Sequence, residues 1–297
     1  MNKKVFLLVL AILPLFLFSS CEKDNGETGK LKLNLTDAPI DSEGITGVHI
    51  TISEVEYHTE EDGWQTFTDF EGPQTHNLLD LQRGDFELLG SFEMEAGTYT
   101  QIRFMLDAPD QGQGQPSTPG SYLEFEDGST QALFVPSGGQ TGYKAVGAFT
   151  VPSNGTVEVT ADWDVRKAVV KAGASGMYIL KPTIRLIVDN QAGQISGEVS
   201  NIPADTSIAV YAYESGTYEE SEANDPAEEE TRFPEAVNSD IADETGAYYL
   251  AYMAPGEYDL VIVANVEGEF TEVLGMVQDV LVESNQTTTE DIDIEQL

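Results

Sequence analysis

Val157-Glu158-Val159-Thr160-Ala161-Asp162-Trp163-Asp164-Val165 decides the fold class. Apolar and polar residues alternate through it with a period of two, which places one face of a strand in a core and the other against water. The same period recurs on both sides. Leu31, Leu33 and Leu35 alternate with Lys32 and Asn34, and Thr36-Asp37-Ala38-Pro39 reads as the turn that ends that strand. Val48, Ile50 and Ile52 share a face, and the apolar phase then slips to Val55 and Tyr57. A slip of one residue inverts every later side chain, so a β-bulge belongs near Ser53-Glu54. Ile102, Phe104 and Leu106 alternate with Gln101, Arg103 and Met105, and Leu180, Ile184, Leu186 and Val188 with Lys181, Thr183 and Arg185. Helical patterns are scarce. Residues 77–89 fit one helical turn or a short strand, and Gly112 to Gly120 is loop by composition.

The expected fold is therefore all-β, as two tandem β-sandwich domains. Asp189 to Gln194 marks the boundary, because the composition shifts there: residues 191–297 hold 25 acids and one base, Arg232. Strands are expected at Ile195 to Val199, Ile208 to Tyr213, Tyr248 to Met253 and Tyr258 to Val266, with a terminal run through Ile292 and Ile294. The second core draws on Ile195, Val199, Ile208, Val210, Leu250, Leu260, Ile262 and Val273. Glu214 to Gly246 is long and acidic, which predicts a mobile loop outside the core.

The chain has 52 acids against 14 bases, a formal charge of -38. Such a surface repels phosphate backbones, which excludes nucleic acid as a partner, and suits a solvated extracellular face. The single cysteine, Cys21, allows no internal disulfide. It follows two early lysines, an apolar run of about 14 residues from Val5 to Phe18, and the small Ser19 and Ser20. The run is short of the roughly 20 residues a spanning helix needs. The segment resembles a lipoprotein signal with Phe18-Ser19-Ser20-Cys21 as its lipobox, which implies a signal peptide over residues 1–20 and lipidation at Cys21. Glu22-Lys23-Asp24-Asn25-Gly26-Glu27 then begins a polar tether over 21–30 and resembles the Lys-acid tag of surface-exported lipoproteins. The expected address is the outer membrane, lipid-anchored, on the cell surface or else facing the periplasm.

Residues 31–189 resemble the family called domain of unknown function 4382. Leu33 to Pro39, Val48 to Val55, Gly97 to Phe104, Pro136-Ser137-Gly138, Gly142-Tyr143-Lys144, Asp162-Trp163-Asp164 and Leu180 to Arg185 carry the likeness. It implies an exported β-rich domain and assigns no activity. Residues 193–297 resemble the carboxypeptidase-regulatory type of prealbumin-like sandwich, also the shape of starch-binding modules. Gly197-Glu198-Val199, Thr245 to Leu250 and Ala254 to Leu260 carry that second likeness.

Candidate chemistry is sparse. Asp162 and Asp164 share one face of their strand, while Lys181 and Arg185 lie on the polar side of a later one. Antiparallel pairing would bring these charges together as a structural ladder or, alternatively, leave a carboxylate pair for acid/base work or Ca²⁺. His49, His58 and His76 lack metal-ligand spacing and read as solvated strand and loop residues. Trp64, Tyr122, Tyr143, Tyr211, Tyr213, Tyr248, Tyr249 and Tyr252 read chiefly as core, with a sugar-stacking platform as the alternative. No nucleophile elbow, phosphate loop or metalloprotease motif is present. The sequence thus predicts no catalytic residues, no metal site and no cofactor. It predicts a non-catalytic envelope lipoprotein that binds or scaffolds a glycan or a partner protein, held to the membrane by its N-terminal lipid. A structural or adhesive surface subunit is the alternative, and an accessory to a secreted carbohydrate-active enzyme a third.

Overall fold

The computed structural model describes residues 27–38, 44–107, 120–136, 141–172, 176–227 and 230–297. The signal segment, Cys21 and most of the Gly112 to Gly120 stretch lie outside these residues. Among the described residues no helix is long and apolar enough to cross a membrane.

The N-terminal body is built from β1 (Thr28–Ala38), β2 (Ile45–Thr59), β3 (Gly63–Thr66), β4 (Gln74–Asn77), β5 (Glu87–Glu95), β6 (Gly97–Leu106), β7 (Tyr122–Phe125), β8 (Thr130–Phe134), β9 (Tyr143–Val151), β10 (Thr156–Asp164), β11 (Val169–Ala172), β12 (Met177–Leu180) and β13 (Ile184–Val188). All thirteen join in one sheet, whose main path runs β11-β12-β8-β7-β2-β6-β9-β13-β10-β1-β5. Residues from both ends of that path share a single core: Leu31 and Phe92 from one end, Val169 and Leu180 from the other. A sheet whose two ends meet in one core must fold over on itself, so its two packed layers belong to one continuous ladder. Trp163 on β10 is fully buried there against Phe104 and Tyr143.

The bulge in β2 falls between Ile52 and Glu54, where the apolar phase slips. Two other expectations need correction. Thr36 and Asp37 do not form a turn; β1 runs on through Ala38, pairing in parallel with β10. The buried polar groups find partners in place: the Thr36 hydroxyl meets the Leu81 and Asp85 carbonyls, and Asp37 Oδ1 accepts from the Val165 amide. Leu180 to Val188 is two strands rather than one. Pro182 cannot donate to a ladder, and β12 pairs with β11 and β8 whereas β13 pairs with β10 and β9. Residues 77–89 contain both elements considered, a 3-10 turn at Leu78–Leu81 and the start of β5.

The C-terminal sandwich comprises β14 (Gly193–Ser200), β15 (Thr206–Glu214), β16 (Asn238–Ile241), β17 (Ala247–Met253), β18 (Gly256–Val266), β19 (Glu269–Val282), β20 (Thr287–Thr289) and β21 (Ile292–Asp293). One sheet is β17-β14-β20 with β21 also on β14; the other is β16-β15-β18-β19. Ile195 and Leu250 from the first meet Ile208, Val210, Leu260 and Ile262 from the second. Val273 is only partly buried and lies against the opposite face of the second sheet.

That opposite face explains why Glu214 to Gly246 is no detached loop. Tyr211, Tyr213, Val261 and Val263 would otherwise face water, and Phe233 and Ala236 cover them. Burying a phenylalanine contributes about 2 kcal/mol, enough to dock an acidic segment whose charges stay outside. Its distal end is strand β16, paired to β15.

Candidate functional site

The two halves meet along a polar seam organised by two arginines. Arg166 lies in α1 (Val165–Ala168), a single turn capped by Asp164, whose carboxylate accepts from the Lys167 amide. Arg166 is buried, with 6 % exposure. Its guanidinium leaves the N-terminal body to donate to the carbonyls of Arg232 at 3.0 Å and Phe233 at 2.8 Å. Lys167 reaches the Ala236 carbonyl at 2.6 Å. Burial lowers the Lys167 ammonium from its ordinary value, and the neighbouring Asp164 opposes that shift.

Arg83 forms the second clasp. It sits at φ 58 beside Gly84, in the turn after Leu78–Leu81. Its side chain donates to Asp240 at 3.0 Å, to Asp243 at 3.2 Å and to the Ala247 carbonyl at 2.5 Å. Asp240 is 2 % exposed. Burial pushes its carboxyl up to about 6, opposed by the Tyr249 amide and by Arg83. Asp243, hydrogen-bonded chiefly by Thr245, is held down at about 2. Gly84 is required here: its φ is +88, and a Cβ would lie 2.8 Å from the Tyr249 ring. Tyr252 adds a bond to the Gly84 carbonyl, and Asn285 one to the Asn190 carbonyl.

A cleft of about 370 Å³ opens on the seam between α1 and β11 on one side and Pro226, residues 230–233 and the β18–β19 hairpin on the other. Arg166, Lys171 and Arg232 line it, with Glu230 and Glu269. The Arg232 guanidinium lies 4.0 Å over the Phe270 ring, and that of Arg166 5.3 Å from Tyr211. Stacking fixes the plane of each guanidinium.

The residues singled out by sequence are mostly structural. Asp162 and Arg185 are register partners of antiparallel β10 and β13, and the Arg185 Nε donates to Asp162 at 2.7 Å. Asp164 turns instead to α1, pairing with Arg166 and Lys167. Lys181 lies between β12 and β13, where its amide bonds the Ala168 carbonyl. His76 is not solvated: it is 4 % exposed, and its Nδ1 contacts Glu87 at 2.8 Å. His49 stacks on Tyr122 and His58 lies edge-on to Trp64, so the three histidines remain apart. Among the described residues no three of His, Cys, Asp and Glu gather to hold a metal. Tyr143, Tyr211, Tyr213 and Tyr248 are buried; Tyr122, Tyr249, Tyr252 and Trp64 are half-buried. The Trp64 face is taken by Arg103 at 4.3 Å. Sequence reasoning missed the arginine seam. Its one available signal was Arg232, the lone base in an acidic half.

A family model described as Domain of unknown function (DUF4382) matches residues 28–182. No curated protein matches the chain. Among solved structures, the Bacillus anthracis TIE protein is 10 % identical at a TM-score of 0.21, covering 89 % of this chain and 34 % of its own. This chain thus spans about a third of that protein's length. The minor pilin of Streptococcus agalactiae is 13 % identical at a TM-score of 0.21, with 88 % and 94 % covered. The shaft pilin of Lactobacillus rhamnosus GG is 10 % identical at a TM-score of 0.21, with 89 % and 98 % covered. Superpositions this loose bear on neither fold nor function.

Proposed function

The chain belongs to the DUF4382 family, whose name assigns no activity, and from its geometry we propose a non-catalytic binding module of the cell envelope. The observation that carries this reading is the doubly clasped seam. Arg83 and Arg166 each cross between the halves and end on buried or backbone acceptors, which fixes the width of the cleft between them. A preset cleft lowers the ordering cost of binding. It contains cations and carboxylates without a nucleophile–base pair, so it is suited to holding a ligand rather than transforming one. Lipidation at Cys21 and the polar tether would place the cleft at the outer cell surface. The resemblance of residues 193–297 to the carboxypeptidase-regulatory sandwich fits the same role, since that shape also serves sugar-binding modules.

A structural or adhesive subunit is the second reading, favoured by β19. This strand of 14 residues pairs with β18 along one edge and carries no strand on the other among the described residues, a template for strand addition. Incubating the full chain in detergent with a glycan array, followed by mass analysis of the bound glycans, tests the first reading. Retention of unmodified glycans is expected. Release of cleaved products would refute it, and concentration-dependent assembly without glycan retention would favour the second.

A further inference from the structure

We propose that the seam cleft is a binding site for an acidic saccharide, a sugar chain carrying carboxylates; this rests on the binding-module reading and specifies its ligand. The argument begins with where positive charge is spent. The chain has 14 bases against 52 acids, yet three cations line this one cleft. Arg232 is the only base after residue 190, and it stands there opposite Arg166 and Lys171 from the other half.

Each cation is prepared differently. Arg166 is almost fully buried and spends its terminal nitrogens on carbonyls and Asp164, but its Nε has no hydrogen-bond partner. That nitrogen is shut off from the cleft surface, so Arg166 contributes fixed positive charge to the cleft wall and no free donor. Arg232 is fixed against Phe270 and tied to the Ala223 carbonyl and to Asp225. The Asp225 side chain is almost fully solvent-exposed, so water screens most of that pairing. Lys171 is exposed and makes no ion pair among the described residues. Three positive charges at one cleft, with Lys171 the exposed one, attract an anion into a surface that repels anions elsewhere.

The rest of the lining narrows the class. Glu230 and Glu269 are exposed, and neither forms an ion pair among the described residues. Carboxylates oppose a compact inorganic anion but accept hydrogen bonds from hydroxyls. A neutral sugar would leave the exposed Lys171 without a counter-charge; a compact phosphate or sulfate would bring its concentrated negative charge directly against two carboxylates. A sugar acid satisfies both sets at once. The cleft volume of about 370 Å³ falls at the lower end of the roughly 300–1,000 Å³ of small-molecule sites, room for a short stretch of a chain that continues into solvent.

Isothermal titration of the full chain in detergent with oligogalacturonate, and with the same oligosaccharide after reduction of its carboxylates to alcohols, tests this directly. Binding of the acidic form is expected, with the reduced form at least tenfold weaker. Lys171→Gln should weaken the acidic form at least tenfold. Lys32→Gln, the same charge change on remote β1, should leave it within twofold. Arg232→Gln should abolish binding, and because that residue also anchors its own loop, the exposed Lys171 carries the test if the loop loosens. Equal affinity for the charged and reduced forms, equal effects of the two lysine changes, or no binding of the acidic form would overturn the proposal. Retention of neutral glycans on the array with no response to oligogalacturonate would leave the binding module standing and remove only its acidic ligand.

Discussion

Arg83→Gln should expose how the seam is held. The substitution removes the counter-charge from Asp240, which is 2 % exposed, while Arg83 itself is 35 % exposed at its side chain. Stripping one partner from a buried pair costs about 3–5 kcal/mol; water reaching the vacated Arg83 position cuts this to about 2 kcal/mol at pH 7.5. The cost depends on pH with a definite sign. Asp240 titrates at about 6 in the folded chain and near 3.9 unfolded, so between those values the folded state holds a proton that the unfolded state has released. That contribution is full below about pH 4 and is lost as pH rises through 6. Without Arg83 the folded value climbs further, so the extra penalty appears above pH 6 and fades by pH 5. There the lost bond to the Ala247 carbonyl remains, about 0.5–1 kcal/mol, together with the exposed contact to Asp243, which is ionised at both pH values and screened by water. Urea unfolding of wild type and variant at pH 5.0 and 7.5 measures the difference. In an Asp240→Asn background Arg83→Gln should cost the same small amount at both pH values. Equal costs at the two pH values in the wild-type background would refute the reasoning.

Three further outcomes are expected. Gly84→Ala should destabilise by about 1–2 kcal/mol, because it forces φ +88 on a residue with a Cβ and drives that atom into Tyr249; a melting temperature unchanged within error would count against the tight seam. Cys21→Ala should move the protein from the membrane fraction to the soluble one with loss of the acyl mass, and retained membrane association would end the lipid-anchor reading. Melting temperature should rise from low to moderate NaCl, since repulsion among 25 acids after residue 190 is screened over about 8 Å near physiological salt. CaCl₂ at equal ionic strength should give the same rise, and a larger one would indicate site binding instead of screening.

What the sequence disclosed follows from the range of the forces involved. Strands with one wet face announce themselves, and the slip at Ser53-Glu54 could be located because period two tolerates no silent insertion. The Asp162–Arg185 pair was legible because both residues sit on strands with readable faces. β19 was not. It is an edge strand with three register shifts against β18, so its alternation is broken where the ladder is. The docking of Glu214 to Gly246 was hidden for another reason. Its composition is that of a solvated loop, and what holds it is Phe233 on a sheet face together with Arg166 and Lys167 from far earlier in the chain. The seam lay beyond reach in the same way: Arg83 and Asp240 are 157 positions apart, and no local pattern links them.

The parallel pairing of β1 with β10 also sets an order of events during synthesis. Lys30 of β1 is aligned with Thr156 of β10, and Ala38 with Asp164. β1 leaves the ribosome ahead of β10 and cannot take this neighbour until more than a hundred further residues have followed. Its antiparallel partner β5 arrives sooner, yet a two-stranded ribbon alone is marginal in water. Contacts of such long range slow folding, since loop-closure entropy is paid before they form. The nascent N-terminal end therefore stays extended and accessible while the rest of the body is being made. A chain terminated before residue 156 leaves Leu31, Leu33 and Leu35 without the strand that buries them, and such fragments should aggregate or be degraded instead of accumulating as stable pieces.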